Sequence, residues 1–199
     1  MEYYFNEGQS QGKKLLLLHG TGGDETSLVD IARFLDGSCT ILSFRGDVQE
    51  DGMNRFFKRN GLNQFDIPSL EKETDNLLAE IEKHSAKDNV PLEDWILVGY
   101  SNGANIAAHL LLERKTKLNK AILFHPMSLG VKTKDFDLSD KKVWLSKGKN
   151  DPIVSDSAFS ELVDNFEGRQ AEISANTFDY GHQVSMDEIN SAKIWLSLL

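Results

Sequence analysis

Short runs of hydrophobic residues recur along the chain, and each run ends in a polar or glycine-containing segment. The runs do not alternate with polar residues, as they would in a sheet with one face in water. Continuous apolar strands are typical of a parallel sheet covered by helices on both faces. The pattern predicts strands over residues 13–19, 39–44, 94–100, 120–125, 142–147 and 170–178, with an antiparallel edge strand over residues 2–6.

Segments with helical spacing lie between these strands. Two apolar faces recur every three to four residues: Leu28, Ile31, Ala32 and Leu35 in the first, and Leu70, Leu77, Leu78 and Ile81 in the second, which Pro68 and Ser69 introduce. Ser185 and Glu188 have the spacing of a capping box and predict the start of the last helix. Alternating strands and helices predict an α/β fold with a mostly parallel, doubly wound sheet.

Two connecting segments bear on where a site could form. Residues 46–68 are the longest stretch without a clear period, and they begin at the carboxyl end of a predicted strand, where parallel sheets place their sites. We therefore expect this segment to reach the site. Residues 126–140 separate two strands and are too few for a lid, so no cap domain is expected.

Composition narrows the class of protein. A chain of 199 residues suits a single domain over residues 1–199, and its net charge of −9 disfavours nucleic acid and anionic membranes as partners. The one cysteine, Cys39, cannot form an internal disulfide. There is no cationic leader before an apolar segment, and no apolar run approaches the roughly 18 residues of a membrane helix. We expect a soluble, cytoplasmic protein.

A nucleophile motif follows one of the predicted strands. Residues 99–103, Gly-Tyr-Ser-Asn-Gly, match G-x-S-x-G, in which a serine occupies a tight turn between a strand and a helix. The flanking glycines are required because side chains there would collide with the neighbouring strand and helix. An ordinary glycine-rich turn would lack this context of strand and small-residue helix. The motif predicts Ser101 as a nucleophile.

A serine hydroxyl needs a base, and the base needs a group that fixes its tautomer. In this motif's fold the order along the chain is serine, acid, histidine. His182 is the one histidine that follows all the strands and precedes the last helix; the alternative is a solvated loop histidine. We expect His84 on an exposed helix, and His109 in the helix after the serine. His19 and His125 end strands upstream of any suitable acid.

The acid is expected just beyond a strand between Ser101 and His182. Asp151 lies there, after the strand over 142–147. Asp156 is the main alternative, but its position after Ser155 suggests the first turn of a helix. Asp179 lies close to His182 in sequence and would need special geometry. The sequence favours Asp151.

Acyl transfer also needs backbone N–H groups aimed at a developing oxyanion. One is expected from Asn102, the residue after the nucleophile. The second is expected from Thr21, in the glycine-rich loop after the strand that ends at His19. A phosphate-binding interpretation of that loop fails because no lysine and Ser/Thr pair follows it.

Taken together, these motifs resemble the phospholipase/carboxylesterase family of α/β-hydrolases. The resemblance is carried by residues 19–24 (His-Gly-Thr-Gly-Gly-Asp), 99–103, 151–154 (Asp-Pro-Ile-Val) and 181–182 (Gly-His). Residues 43–46, 52–59 and 65–66 are similar to a bacterial subgroup associated with hydroquinone and quinone stress. The resemblance implies an α/β-hydrolase fold without a cap, esterase activity, the triad Ser101, Asp151 and His182, and Thr21 as an oxyanion donor.

The substrate is less well specified. The segment over residues 46–68 supplies an expected apolar wall for an acyl or aryl group, formed by Met53, Phe56, Phe57 and Phe65. Three cations lie beside this wall: Arg55, Lys58 and Arg59. The alternative is that the phenylalanines belong to the core and the cations to a solvated loop.

The favoured function is a carboxylesterase acting on a small-molecule ester. The alternative enzyme is an acyl thioesterase or lysophospholipase, and the non-enzymatic alternative is a binding module without turnover. The mechanism needs no cofactor or metal, and a homodimer is left open.

Overall fold

Strands and helices alternate along most of the chain. The computed structural model describes every residue from Met1 to Leu199. The strands are β1 (Tyr3–Asn6), β2 (Lys14–Leu18), β3 (Thr40–Phe44), β4 (Val48–Glu50), β5 (Met53–Arg55), β6 (Arg59–Gly61), β7 (Gln64–Phe65), β8 (Trp95–Tyr100), β9 (Lys120–Phe124), β10 (Lys142–Gly148) and β11 (Glu172–Phe178). The α-helices are α1 (Val29–Leu35), α2 (Ile67–Lys87), α3 (Asn102–Glu113), α4 (Asp156–Glu167) and α5 (Met186–Ser197).

Seven strands form the central sheet, in the order β1-β3-β2-β8-β9-β10-β11. β1 pairs antiparallel with β3, and all other neighbours in this sheet are parallel. Every strand predicted from the hydrophobic runs is therefore confirmed, with ends that shift by one or two residues. Because the parallel strands run in the same direction, the segments that follow β2, β8, β9, β10 and β11 emerge at one edge of the sheet.

Both faces of the sheet are covered by helices. Along β2, Leu15 and Leu17 pack with residues of α1 and α5, whereas Leu16 and Leu18 pack with residues of α2, α3 and α4. All four leucines are fully buried, which is why the strand shows no polar alternation. None of the helices combines the length and apolar character needed to cross a membrane.

The segment over residues 46–68 contains two small hairpins that the sequence did not predict. β4 pairs with β5, and β6 pairs with β7. Strands of two or three residues are too short to establish a period, so the sequence pattern could not reveal them. Helix α2 follows directly and is capped by Asp66, whose side chain accepts from the Ser69 N–H at 2.9 Å, so it begins slightly earlier than Pro68 and Ser69 suggested.

The expectation that His84 lies on an exposed helix was wrong. Its side chain is buried, with its ring centroid 4.3 Å from that of Tyr3 and 5.5 Å from that of Phe44. His84 follows Ile81 by three residues and so continues the apolar face of α2. The edge strand β1 adds the aromatic neighbour that closes over this part of the helix.

Residues 126–140 connect β9 to β10 without a helix or strand. Met127 and Leu138 from this segment are buried in the core, so the connection lies against the body of the protein. As predicted, there is no cap domain. The carboxyl edge of the sheet is therefore bordered by loops and by the two hairpins.

Candidate active site

Ser101 occupies a strained turn between β8 and α3. Its φ of 50° and ψ of −112° lie outside the conformations that a serine ordinarily adopts. A Cβ on Gly99 would lie 2.7 Å from Cα of Ala104, and one on Gly103 would lie 2.1 Å from the carbonyl oxygen of Leu18. Only glycine permits such close approach at both positions. The turn places Ser101 at the carboxyl edge of the sheet.

The structure brings Ser101, His182 and Asp151 into one hydrogen-bonded row. His182 Nε2 lies 2.9 Å from Ser101 Oγ, and His182 Nδ1 lies 2.8 Å from Asp151 Oδ2. A proton on Nδ1 is donated to the carboxylate, which leaves the Nε2 lone pair facing the hydroxyl. The Tyr100 hydroxyl donates to the His182 carbonyl oxygen at 2.9 Å and so helps fix the histidine loop.

Asp151 is held as a buried carboxylate, with no exposed side-chain area. Burial alone would raise its pKa, but hydrogen bonds from the Val154 N–H, His182, the Ile153 N–H and His125 outweigh burial and hold the pKa below its ordinary value. The two backbone donors reach Oδ1 at 3.0 and 2.8 Å. The carboxylate therefore stays charged and fixed in orientation at neutral pH.

Asp156, the alternative acid, lies elsewhere. Its exposed side chain forms an ion pair with Lys147 at the start of α4. The Ser155 hydroxyl caps the same helix by accepting from the Ala158 N–H at 3.2 Å. Asp156 therefore occupies the first turn of α4, in agreement with the sequence interpretation.

Thr21 and Asn102 both line the cavity in front of Ser101. Asn102 is the first residue of α3, so its N–H has no carbonyl one turn earlier in the helix to donate to. The Thr21 hydroxyl accepts from Arg55 Nη1 at 2.6 Å, and the Gly22 N–H donates to the Asn54 carbonyl at 2.9 Å. Hairpin β4–β5 therefore fixes the loop that carries Thr21.

His19 links the same loop to the start of the hairpin segment. Its Nδ1 lies 2.7 Å from the Gly20 carbonyl oxygen, and its Nε2 accepts from the Gly46 N–H at 3.0 Å. Burial lowers the pKa of His19, so the imidazole is neutral and donates through Nδ1. The sequence marked His19 only as the end of a strand; the structure shows a side chain that holds two loops together.

A cavity of about 330 Å³ opens above Ser101 and His182. Two of the predicted wall residues, Met53 and Phe65, line it. Several further lining residues carry no motif or spacing in the sequence that marks them: Leu62, Asn63, Asn105, Met127 and Ile153. Arg55 and Arg59 also line the cavity, whereas Lys58 is exposed to solvent.

Phe56 and Phe57 do not reach this cavity. Both side chains are fully buried in the larger core cluster, between hairpins β4–β5 and β6–β7. The Phe56 ring centroid lies 4.8 Å from that of His19, and the Phe57 ring packs edge-on against Phe65 at 5.9 Å. Their expected place in the substrate wall is therefore corrected: they support the wall from behind because the chain passes over the core here.

Two arginines at the cavity share one carboxylate. Nε of Arg55 lies 3.2 Å and Nε of Arg59 lies 3.0 Å from Oε2 of Glu50. Burial and the neighbouring Arg59 lower the pKa of Arg55, but an arginine guanidinium stays charged in proteins. Two positive charges against one negative charge leave this wall of the cavity cationic, within a chain of net charge −9.

His125, which was expected only to end a strand, contacts Asp151 on the side away from Ser101. Its Nδ1 lies 2.8 Å from Asp151 Oδ2, the same oxygen that faces His182. One ligand atom each of His125, Asp151 and His182 lies within 4.8 Å of the others, the spacing of a metal cluster. Two hydrogen bonds to one oxygen account for that spacing. The only signal in the sequence was its place at the end of a strand.

Comparison with known proteins gives consistent matches over most of the chain. Residues 57–190 match the dienelactone hydrolase family. MhqD of Bacillus subtilis (strain 168) is 38% identical over 198 residues, which cover 98% of this chain and 97% of MhqD. These matches confirm the resemblance to hydrolases drawn from the motifs.

Solved structures match as closely. The Bacillus cereus carboxylesterase is 36% identical with a TM-score of 0.96, covering 100% of this chain and 94% of that one. YahD, solved with malic acid, is 39% identical with a TM-score of 0.94, covering 99% and 98% of the two chains. The likeness confirms the α/β-hydrolase fold predicted from the sequence.

Proposed function

This chain belongs to the dienelactone hydrolase family and is therefore a hydrolase, and on that premise we propose that it is a serine carboxylesterase. The observation that carries the proposal is the position of His182, with Nε2 2.9 Å from Ser101 Oγ and Nδ1 2.8 Å from a buried carboxylate. This arrangement suits a base that removes a proton from a serine. The carboxylesterase among the structural neighbours supports an ester as the substrate.

Acylation begins when Ser101 Oγ attacks the ester carbonyl carbon while His182 Nε2 takes the hydroxyl proton. Asp151 stabilises the imidazolium that forms. The carbonyl oxygen becomes an oxyanion and accepts from the N–H groups of Thr21 and Asn102. As the tetrahedral intermediate collapses, the ester C–O bond breaks, the alcohol leaves with the proton from His182, and the acyl group stays on Ser101.

Deacylation repeats the sequence with water as the nucleophile. A water molecule loses a proton to His182 as its oxygen attacks the acyl carbon, and the same two N–H groups stabilise the second oxyanion. Collapse breaks the bond to Ser101 Oγ, which recovers its proton from His182, and a carboxylic acid is released. With no cap over the cavity, water can reach the acyl group directly.

The cavity indicates a small ester that carries a negative charge. Its volume of about 330 Å³ suits a short substrate rather than a long acyl chain. The cationic wall formed by Arg55 and Arg59 would pair with a carboxylate on the acyl or alcohol part. YahD was solved with malic acid, a dicarboxylic acid, and this supports an anionic group on the substrate proposed here.

Arg59→Gln is expected to reduce turnover of anionic esters selectively. A hydrogen bond to a charged group contributes about 1.5–3 kcal/mol, so kcat/KM for p-nitrophenyl hemisuccinate should fall roughly ten- to a hundredfold. The neutral p-nitrophenyl pentanoate, of similar length, should change by less than about threefold. Lys58→Gln removes a charge from the adjacent solvent-exposed position and is the matched control. Equal losses on both esters would contradict an anionic substrate.

The serine mechanism is tested by covalent labelling. A fluorophosphonate probe should attach to Ser101 with a stoichiometry of about one per chain, because labelling requires an activated serine. Intact-protein and peptide mass spectrometry would locate the adduct, and Ser101→Ala should remain unlabelled. Labelling at another residue, or none in the folded protein, would reject the proposal and favour a binding module.

Ester and thioester substrates separate the remaining alternatives. Turnover of p-nitrophenyl esters should exceed that of matched acyl thioesters and of a lysophospholipid, measured as kcat/KM. A higher value for either of the last two would replace the carboxylesterase assignment while keeping the same catalytic residues.

A further inference from the structure

The hydrogen-bonded row at Ser101 extends through Asp151 to His125, and His125 in turn forms a close ion-pair contact with Glu188 in the interior of the protein. Beyond Asp151 lies His125, at the end of β9, and beyond His125 lies Glu188, in the first turn of α5. His125 Nδ1 is 2.8 Å from Asp151 Oδ2, and its Nε2 is 3.0 Å from Glu188 Oε1. The side chains of all three have no exposed area. A buried histidine thus stands between two buried carboxylates.

Glu188 is fixed by a second role. Its Oε2 accepts from the Ser185 N–H at 2.7 Å, and the Glu188 N–H donates to the Ser185 hydroxyl at 3.3 Å, which completes the capping box of α5. The cap holds the carboxylate in place from the backbone of the helix. Its other oxygen is therefore presented to His125 by a rigid element.

The backbone at His125 is also fixed. Its φ of 54° lies in the left-handed region, which costs a non-glycine residue energy and persists only where surrounding contacts impose it. The His125 N–H donates to the Ser146 carbonyl oxygen at 2.9 Å. Both the ring and the backbone of His125 are thus held in one arrangement behind the acid.

From this arrangement we propose that His125 is a positioning residue, held by Glu188, that keeps the Asp151 carboxylate aligned with His182. The inference rests on the proposed serine mechanism. Two backbone N–H groups hold Asp151 Oδ1, and Oδ2 accepts from both imidazoles, so the His125 donor adds the contact that sets the position of Oδ2 opposite His182. The two imidazole rings lie close, with centroids 5.1 Å apart.

The charges of the surroundings fit this role. Burial would lower the pKa of His125, but the adjacent Glu188 and Asp151 outweigh burial and raise it. Four titratable groups face His125: Asp151 from the loop after β10, Glu188 from α5, His182 from the loop after β11, and Tyr100 from β8. Burial raises the pKa of Tyr100, so its phenol stays neutral. With His125 positively charged and Asp151 and Glu188 negatively charged, the three buried groups together carry one net negative charge. This equals the charge of a single catalytic carboxylate.

The positive charge has a second consequence. An imidazolium at His125 repels other positive charges that form nearby, so we expect the pH dependence of kcat/KM to respond to the charge at this position. Replacing His125 with a neutral donor would remove this effect while keeping a hydrogen bond to Asp151. A change that is merely structural would leave the pH dependence unaltered.

His125→Asn is the variant that separates these effects, because the asparagine amide can still donate to Asp151 but carries no charge and is too short to reach Glu188. We expect kcat to fall about ten- to a hundredfold with KM changed by less than about twofold, the size of effect seen when a catalytic group is misplaced. The acidic limb of the pH profile of kcat/KM should move to higher pH. His84→Asn, at another buried histidine, which packs against Tyr3 and Phe44, is the matched control and should change neither quantity.

A second variant tests the same inference if His125→Asn does not fold. Glu188→Gln keeps an oxygen for the Ser185 N–H and so preserves the capping box, but it removes the charge that supports His125. We expect a fall in kcat of about three- to tenfold. The double variant with His125→Asn should be no slower than His125→Asn alone, because Glu188 acts through His125.

The outcomes distinguish this inference from the proposed function. Labelling of Ser101 by the fluorophosphonate in the wild-type protein, with unchanged kcat and pH profile in both variants, would overturn the positioning role and leave the serine mechanism in place. A loss of kcat in proportion to a lowered unfolding midpoint, without a moved pH limb, would show a structural role only and also overturn it. If His125→Asn does not fold, a wild-type kcat in Glu188→Gln rejects the inference. An unlabelled wild-type Ser101 would reject both.

Discussion

Ser101→Ala is expected to lower kcat on a small ester by on the order of 10⁵- to 10⁶-fold, with His182→Ala nearly as damaging and the double variant no worse than either. In the proposed mechanism the two side chains perform one step, because Ser101 attacks only as His182 removes its proton. Once either is absent, the other has nothing to act on. Residual activity would come from binding and from the N–H groups that face the oxyanion.

The measurement is kcat and kcat/KM for the two single variants and the double variant, with unfolding midpoints for each. Ser160→Ala, at an exposed position on α4, is the matched control and should keep wild-type activity. All variants should keep their midpoints within a few degrees, because neither triad side chain is part of the apolar core. If the fold-loss in kcat of the double variant equals the product of the two single losses, Ser101 and His182 act independently, and the shared step is rejected.

Phe56→Ala is expected to lower the free energy of unfolding by about 3–5 kcal/mol, with a similar loss for Phe57→Ala. Both rings are fully buried, so removing them opens a cavity in the core and forfeits the burial of a large apolar surface. The remaining folded protein should hydrolyse short and long esters in the same ratio as the wild type, because neither ring lines the cavity. Denaturant unfolding and an ester length series measure the two effects.

Phe65→Ala provides the contrast. Phe65 packs against Phe57 but also lines the cavity and is only partly buried. Its removal should cost less stability and should selectively reduce kcat/KM on longer or aromatic esters, by up to about ten- to two-hundredfold. A selective loss on longer esters in Phe56→Ala, without a lowered midpoint, would contradict the packing role assigned to that ring.

The elements around Ser101 form a preorganised site, in which short contacts join segments far apart in the sequence. Asn102 illustrates this: its backbone begins α3 next to the nucleophile, while its side-chain oxygen accepts from the Phe56 N–H at 2.7 Å. Arg55, the last residue of β5, donates to the Thr21 hydroxyl. Residues 46–68 therefore contribute more than a wall, because they also support the loops that carry both expected oxyanion donors.

The features that the sequence determined by itself follow local rules. Continuous apolar runs located the strands because both faces of this sheet are buried, so every position in a run had to be apolar. The turn at Ser101 was evident because its backbone geometry tolerates only glycine at positions 99 and 103. The capping box of Ser185 and Glu188 was evident because a helix start must satisfy N–H groups within one turn. The order of Ser101, Asp151 and His182 relative to the strands then predicted which side chains would meet, and the structure contains hydrogen bonds between them.

Only the tertiary structure decided which side chains share a space. Phe56 and Phe57 point into the core and Phe65 to the cavity because two very short hairpins set the course of the chain, and such hairpins leave no period in the sequence. The contact of His125 with Asp151 and Glu188 joins the ends of β9 and β10 to α5 across 26 and 63 positions of the chain. Local propensity encodes backbone conformation and periodicity, whereas burial and charge pairing depend on segments that meet only after the sheet has assembled.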